Sequence, residues 1–329
     1  PGLINAGNIP ANVSPAIIGA YNPADLPGMI AAGVGAGATL AQSAVISQTL
    51  IAVGGDPTNP AYAASVSAAA TDAFARTARY NTEYPEDIKL FGVSFNTELK
   101  GSGIALQGEI SHRLDAPLQV DDIEILYAAL SPSFLAAGNP YSGQLGAYFP
   151  GASIEGYIEK DVTQVQFTAT KVFGPTFGAD QLLLLGEAAL THVHDMPSKD
   201  KLRLNGPGTY VGGNAGMAYA HFPKPIEGSS HFADADSWGY RLVTRMDFNN
   251  AIGAINLKPR ISWRHDVSGI SPGPGGNFLE DRKAISFGVA ADYQNRWSYD
   301  ISYTNYFGAG RYNLINDRDI ISANIKYSF

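Results

Sequence analysis

Seven charged residues recur at alternate positions in two neighbouring stretches: Arg241, Arg245 and Asp247 within 238–248, and Lys258, Arg260, Arg264 and Asp266 within 255–267. In extended backbone, side chains two residues apart share a face. All seven therefore point to one side of two adjacent strands, as a basic stripe with acids set into it. A confined stripe of that sign raises the local concentration of an anionic or carboxylate-bearing solute. The competing reading is a structural charge ladder, paired with Glu109, Glu187 or a plug-like loop.

The histidines offer a second chemistry. His192, Val193, His194 and Asp195 have the residue types of a metal site or a triad fragment, with His192 and His194 on one strand face. A divalent site needs three or four ligands, and these neighbours supply no third, so a strand-end interface is the expected role. His112 and His265 fall on apolar strand faces near strand ends, where a girdle or snorkelling role fits; His221 and His231 fall in a loop. Hydrolysis by an outer-membrane lipase or protease would need a converging Ser/His/Asp set, and no G-x-S-x-G is present. Asp317 and Asp319, with Asn313 and Asn316, have calcium-ligand chemistry but equally that of a turn. Asn12–Ser14 is a sequon only in a eukaryotic secretory setting. No catalytic residue, metal or cofactor is expected.

The elements that position these residues follow from composition and period. The 329 residues include no Cys, 30 acidic and 22 basic residues, 36 Gly, 17 Tyr and 15 Phe. The absence of Cys excludes disulfides and thiolate metal sites, and the net charge of −8 argues against nucleic acid. Charged residues make up 16%, below the ~25% of average soluble chains. Low charge with many aromatics and glycines suits a membrane barrel, and equally a soluble all-β protein. Residues 1–87 are rich in Ala, Gly, Pro and Ser. Residues 27–55 carry no charge over a bilayer-spanning length, but their glycines and amides favour short helices in a loop or plug over a membrane helix; 61–80 reads as an Ala-rich helix.

From Ile88 the period becomes two. Strands are expected at 88–100, 104–115, 162–173, 181–193, 238–248, 255–267, 283–294, 297–306 and 319–329, with a short helix at 121–130. The last strand shows the pattern plainly: Ile321, Ala323, Ile325, Tyr327 and Phe329 on one face, and Ser322, Asn324, Lys326 and Ser328 on the other. Polar faces carrying several charges do not pack a core, because buried unpaired charge costs several kcal/mol. Lining a watery lumen keeps them solvated, while the apolar faces meet lipid and closure removes the edges. A soluble sandwich or lipocalin-like barrel shares the alternation and is the alternative. Long connections (116–161, 194–236, 268–280, 307–318) alternate with short ones (101–103, 174–179, 249–254, 295–296), as extracellular loops alternate with periplasmic turns. That alternation requires 151–161 to be loop. About nine strands is an odd number, whereas single-chain bacterial barrels are normally even. The chain is thus expected to be the C-terminal part of a longer barrel, closed by strands of an N-terminal fragment of the same protein.

Several ordered stretches resemble the proteobacterial outer-membrane family called Domain of Unknown Function thirteen-zero-two: NTEYPEDIKLFGVSFNT (81–97), GIALQGEISHRLDAPLQ (103–119), GADQLLLLGEAALTHVHDMP (178–197), HDVSGISPGP (265–274), YTNYFG (303–308) and NDRDIISANIKYSF (316–329). The resemblance covers roughly 80–329. It implies an outer-membrane β-barrel, members nearly twice this length, and, through the family's genomic company of exporters and catabolic genes, a link to hydrophobic compounds; it brings no catalytic residues. The expected function is a passive channel for hydrophobic or amphipathic solutes, set among outer-membrane lipid and lipopolysaccharide. The alternative is a structural or interaction barrel serving an export assembly or the cell surface.

Overall fold

In a computed structural model, the described residues are 2–5, 75, 77–136, 143–149, 151–214 and 226–329. The fold is all-β and antiparallel. Strands β1 (Gly2–Asn5) and β2 (Arg79–Thr82) pair with each other, and β1 also pairs with the two-residue β5 (Ser153–Ile154), in a small three-stranded sheet. Everything else hangs on one nine-stranded sheet. Its strands are β3 (Lys89–Leu99), β4 (Ile104–Gln119), β6 (Tyr157–Phe173), β7 (Gln181–Val193), β8 (Asp236–Ile252), β9 (Ile255–Ser268), β10 (Lys283–Tyr293), β11 (Trp297–Phe307) and β12 (Ile320–Tyr327). They pair in chain order, each antiparallel to the next, from β3 at one edge to β12 at the other. The single helix among the described residues that spans more than one turn, α1 (Asp122–Ala136), lies in the connection after β4. No helix there is long and apolar enough to cross a membrane.

Most strands outrun their sequence-based bounds. β4 and β6 continue as a hairpin to Gln119 and Tyr157, pairing Ala116 with Lys160 and Gln119 with Tyr157. The expectation that 151–161 is loop is therefore corrected: 157–161 extend β6. The cause is a register shift between Arg113 and Ala116, where Asp115 takes φ 54° and its amide donates to Asp161. A bulge absorbs one misfit and lets the ladder run on. The extension is still one hairpin, so the side on which the next connection emerges is unchanged. The turn expected at Asn295-Arg296 is centred one residue earlier. Gln294 and Asn295 take positive φ and the Arg296 amide donates to the Tyr293 carbonyl, the left-handed pair that matches the twist of a hairpin. Arg79 and Tyr80, placed at the end of the Ala-rich helix, belong to β2. The rest of that helix apart from Ala75, Thr77 and Ala78, and all of 27–55, lie outside the described residues.

The two faces of the sheet differ sharply. One presents Val93, Ile110, Leu242, Ile301, Ile321 and Ile325 to the surroundings, with Val93 76% and Ile321 73% exposed. Among the described residues no second layer packs against that face. The well-packed core lies elsewhere. Ala116, Leu118, Val120, Ile125, Ala128, Ala129, Ile154, Val162, Val193, Leu204 and Ala233 cluster where the long connections gather over one end of the sheet. Backbone hydrogen bonds stitch these segments together: Gln119 to Gly273, Val120 to Gly156, Asp121 to Arg203 and Asn205 to Gln119.

Candidate functional site: the polar face and its capped end

The polar face of β4 and of β6 to β11 carries the predicted stripe. Glu187, Arg241 and Arg264 lie directly opposite one another across β7, β8 and β9. Arg241 approaches Glu187 at 4.0 Å, and Glu187 also accepts from the Gln166 amide at 3.1 Å. Arg245 binds Asp247 on its own strand through two hydrogen bonds, at 2.9 and 3.1 Å. Lys258 donates to Asp292 at 2.6 Å, and Arg260 clasps both oxygens of Asp300 at 2.5 and 2.9 Å. Asp266 is buried and accepts from Arg282 and from the Leu279 amide. Glu109 is exposed and, like Arg264, has no ion-pair partner among the described residues.

Most of the stripe is therefore a ladder; its partners are Glu187 and Asp247, both expected on the polar face, and Asp292 and Asp300, which the sequence reading did not select. A signal existed. Both aspartates occupy polar-face positions of β10 and β11, and antiparallel register brings them beside Lys258 and Arg260. Space matters as much as charge. A Cβ on Gly288 would lie 2.8 Å from the Arg260 guanidinium carbon, so glycine opens the path by which Arg260 crosses β10 to reach β11.

A cleft of about 310 Å³ opens on this face, bounded by Glu109, Gln166, Glu187, Arg241, Arg264 and Asp266, with Asn277 and Phe278 from the β9–β10 connection. That connection crosses the polar face: residues 271, 272 and 274–277 line a second cleft with Gln164 of β6 and Thr191 of β7, and the Gly273 carbonyl reaches Gln119 of β4. Its approach depends on Gly239, where a Cβ would meet the His265 carbonyl at 2.7 Å and the Phe278 ring at 3.1 Å.

The capped end holds a second polar cluster. Glu227 is buried and accepts from Tyr312 at 2.6 Å and Arg311 at 2.5 Å, and contacts His231 at 2.8 Å, while the Tyr312 and His231 rings stack at 3.9 Å. The connection after β7 is thereby latched to the one after β11. Burial pushes the Glu227 carboxyl up, but the hydrogen bonds from Tyr312 and His231 and the charge of Arg311 outweigh it and hold it below the usual range. Asp121, ahead of α1, is fully buried with no hydrogen-bond partner on either carboxylate oxygen among the described residues. Burial, then the charges of Asp122 and Glu124, push it up to about 8. Glu124 is held by Arg203 and the Gln144 amide.

The other histidines line up at the same end. Thr163 Oγ1 bridges His112 Nδ1 at 2.9 Å and His194 Nε2 at 2.8 Å; His192 pairs with Asp236 at 2.7 Å and packs edge-on to His194. His265 sits edge-on against Tyr240 and Trp263; His221 lies outside the described residues. No group of three or more His, Cys, Asp or Glu among the described residues is placed to hold a metal ion. Asn313 and Asn316 bond backbone carbonyls of their own turn, and Asp319 accepts from Tyr303, Asn305 and the Tyr306 amide. In β12, Ile321 and Ile325 face Tyr303 and Tyr299, and Tyr327 faces Trp297 with rings 4.7 Å apart and Phe329 alongside.

One family model, described as Protein of unknown function (DUF1302), matches the chain over residues 20–329. The chain belongs to the DUF1302 family. No curated protein and no solved structure matches it.

Proposed function

We propose that this DUF1302 chain forms the wall of an outer-membrane β-barrel and conducts small hydrophobic or amphipathic solutes passively. They would pass beneath the loops at the capped end and through a lumen lined by the polar face. The observation that carries the reading is the division of one nine-stranded sheet into an exposed apolar face and a charged face whose ions are mostly paired. In water the first face is a liability; in lipid it is the required exterior, with lipid and lipopolysaccharide as neighbours. Dimensions agree. From Trp238 to Phe248 the outward face runs ten residues, about 33 Å of strand. At a tilt of about 40° that covers roughly 25 Å of membrane normal, the height of a barrel's apolar band. Aromatics gather towards both ends, with Trp297, Tyr327 and Phe329 at one and Trp263, Tyr240 and Phe307 at the other. Strands that would close the sheet between β3 and β12 belong, on this reading, to a further part of the same protein.

The second reading, a scaffold or partner of an export assembly, draws on the latch at Glu227 and the connection lying across the polar face. Planar-bilayer recording of the folded full-length protein separates the two. Discrete conductance steps are expected, with Arg260→Ala and Arg264→Ala together shifting the reversal potential in a salt gradient towards cations. Folded protein that inserts and conducts nothing would favour the scaffold.

A further inference from the structure

One end of the cleft has a cation too many. Of the five basic residues in the stripe, Arg241, Arg245, Lys258 and Arg260 each have a carboxylate within ion-pair distance. Arg264 has none among the described residues. The acid nearest in sequence, Asp266, is committed to Arg282 at 2.7 Å. The residue directly across the strand is another guanidinium, Arg241, whose own contact with Glu187, at 4.0 Å, is the loosest of the four. Like charges facing each other across an antiparallel pair are destabilising. The remaining acid of the cleft, Glu109, stands on β4, four strands from β9. At ~4.8 Å per strand that is about 19 Å along the sheet, and no ion pair joins Glu109 to Arg264 among the described residues. An anion between Arg264 and Arg241 would relieve the repulsion, and two guanidiniums present the planar forks that carboxylates match. Phe278, packed at Gly239, adds a flat apolar wall in the same cleft. The volume, about 310 Å³, is at the small end of ligand pockets, which run from ~300 to 1,000 Å³.

We propose that Arg264, with Arg241 beside it and Phe278 as the apolar wall, is a binding subsite for small organic carboxylates with a planar apolar body. The subsite rests on the reading of the polar face as the lining of an aqueous lumen, which keeps it open to solutes. Calorimetric titration of the folded full-length protein in detergent micelles tests it with three probes: benzoate, inorganic phosphate and benzyl alcohol. Saturable benzoate binding is expected, with weaker phosphate binding and none for benzyl alcohol. Arg264→Gln should weaken benzoate by about tenfold or more, the scale of one lost charge-assisted contact, and Arg264→Lys should recover part of it. Phe278→Ala, outside the strands, should erase the preference for benzoate over phosphate, and it decides the matter if Arg264→Gln does not fold. No saturable benzoate binding, equal binding by Arg264→Gln, or an unchanged preference in Phe278→Ala overturns the subsite. Bilayer recording on the same preparation keeps the two ideas apart. Benzoate binding by a protein that conducts nothing retains the subsite and removes the channel. Conductance without benzoate binding does the reverse.

Discussion

Single residues on the polar face act through space as much as through charge. Gly288 is where a side chain would strike the Arg260 guanidinium. Gly288→Val should displace Arg260 from Asp300 and lower stability by about 1–3 kcal/mol, mostly through overpacking, since the half-exposed pair is itself worth little. In urea titrations of the refolded protein, Gly288→Val and Arg260→Ala together should cost less than their sum. Two carboxylates at the capped end respond to pH in opposite senses. Glu227 has a folded value below its ordinary 4.5, so its contribution is full above that value and fades as pH falls through the folded value. Hydrogen-exchange protection around 226–231 and 310–313 should fall below about pH 4.5, and Glu227→Gln should remove that step. Asp121 is raised from 3.8 to about 8. The folded state binds the extra proton between those values, so stability falls as pH rises through them. Asp121→Asn should leave stability at pH 4 nearly unchanged and raise it by about 1–2 kcal/mol at pH 9, read by thermal melts.

At the level of elements, alternation decides which substitutions matter. Ile325 and Asn324 are neighbours on β12, and both are exposed, but they stand on opposite faces. If the apolar face meets lipid, Ile325→Lys should cost about 2–4 kcal/mol of folding into liposomes, while Asn324→Lys should cost almost nothing. Equal effects would mean that both faces are wet. Strand positions and faces were legible because a period of two survives in any environment that differs between the sides. The strand ends were not. The bulge at Asp115 that carries β4 to Gln119, and the positive φ of Gln294, depend on how a partner strand accommodates one residue more. Asp292 and Asp300 fell between these cases: their face was readable, but their pairing with Lys258 and Arg260 needed the register.

For the whole molecule, the two edges of the nine-stranded sheet, β3 and β12, matter most. β12 is exposed on both faces along its length, as is β3, and an edge left unpaired among the described residues is a template for further strands. The order of nine antiparallel strands, their two-faced character and the membership in DUF1302 could all be read from the chain, because they rest on local alternation and on motifs contiguous in sequence. The capped end could not. Glu227 meets Arg311 and Tyr312 more than eighty residues away, Phe278 returns across the sheet to Gly239, and Arg264 is left without an acid among the described residues because Arg282 has taken Asp266. Each outcome is a competition among long connections for the same few partners. Such a competition has no period in the sequence; it is resolved only when distant segments are brought within hydrogen-bonding distance.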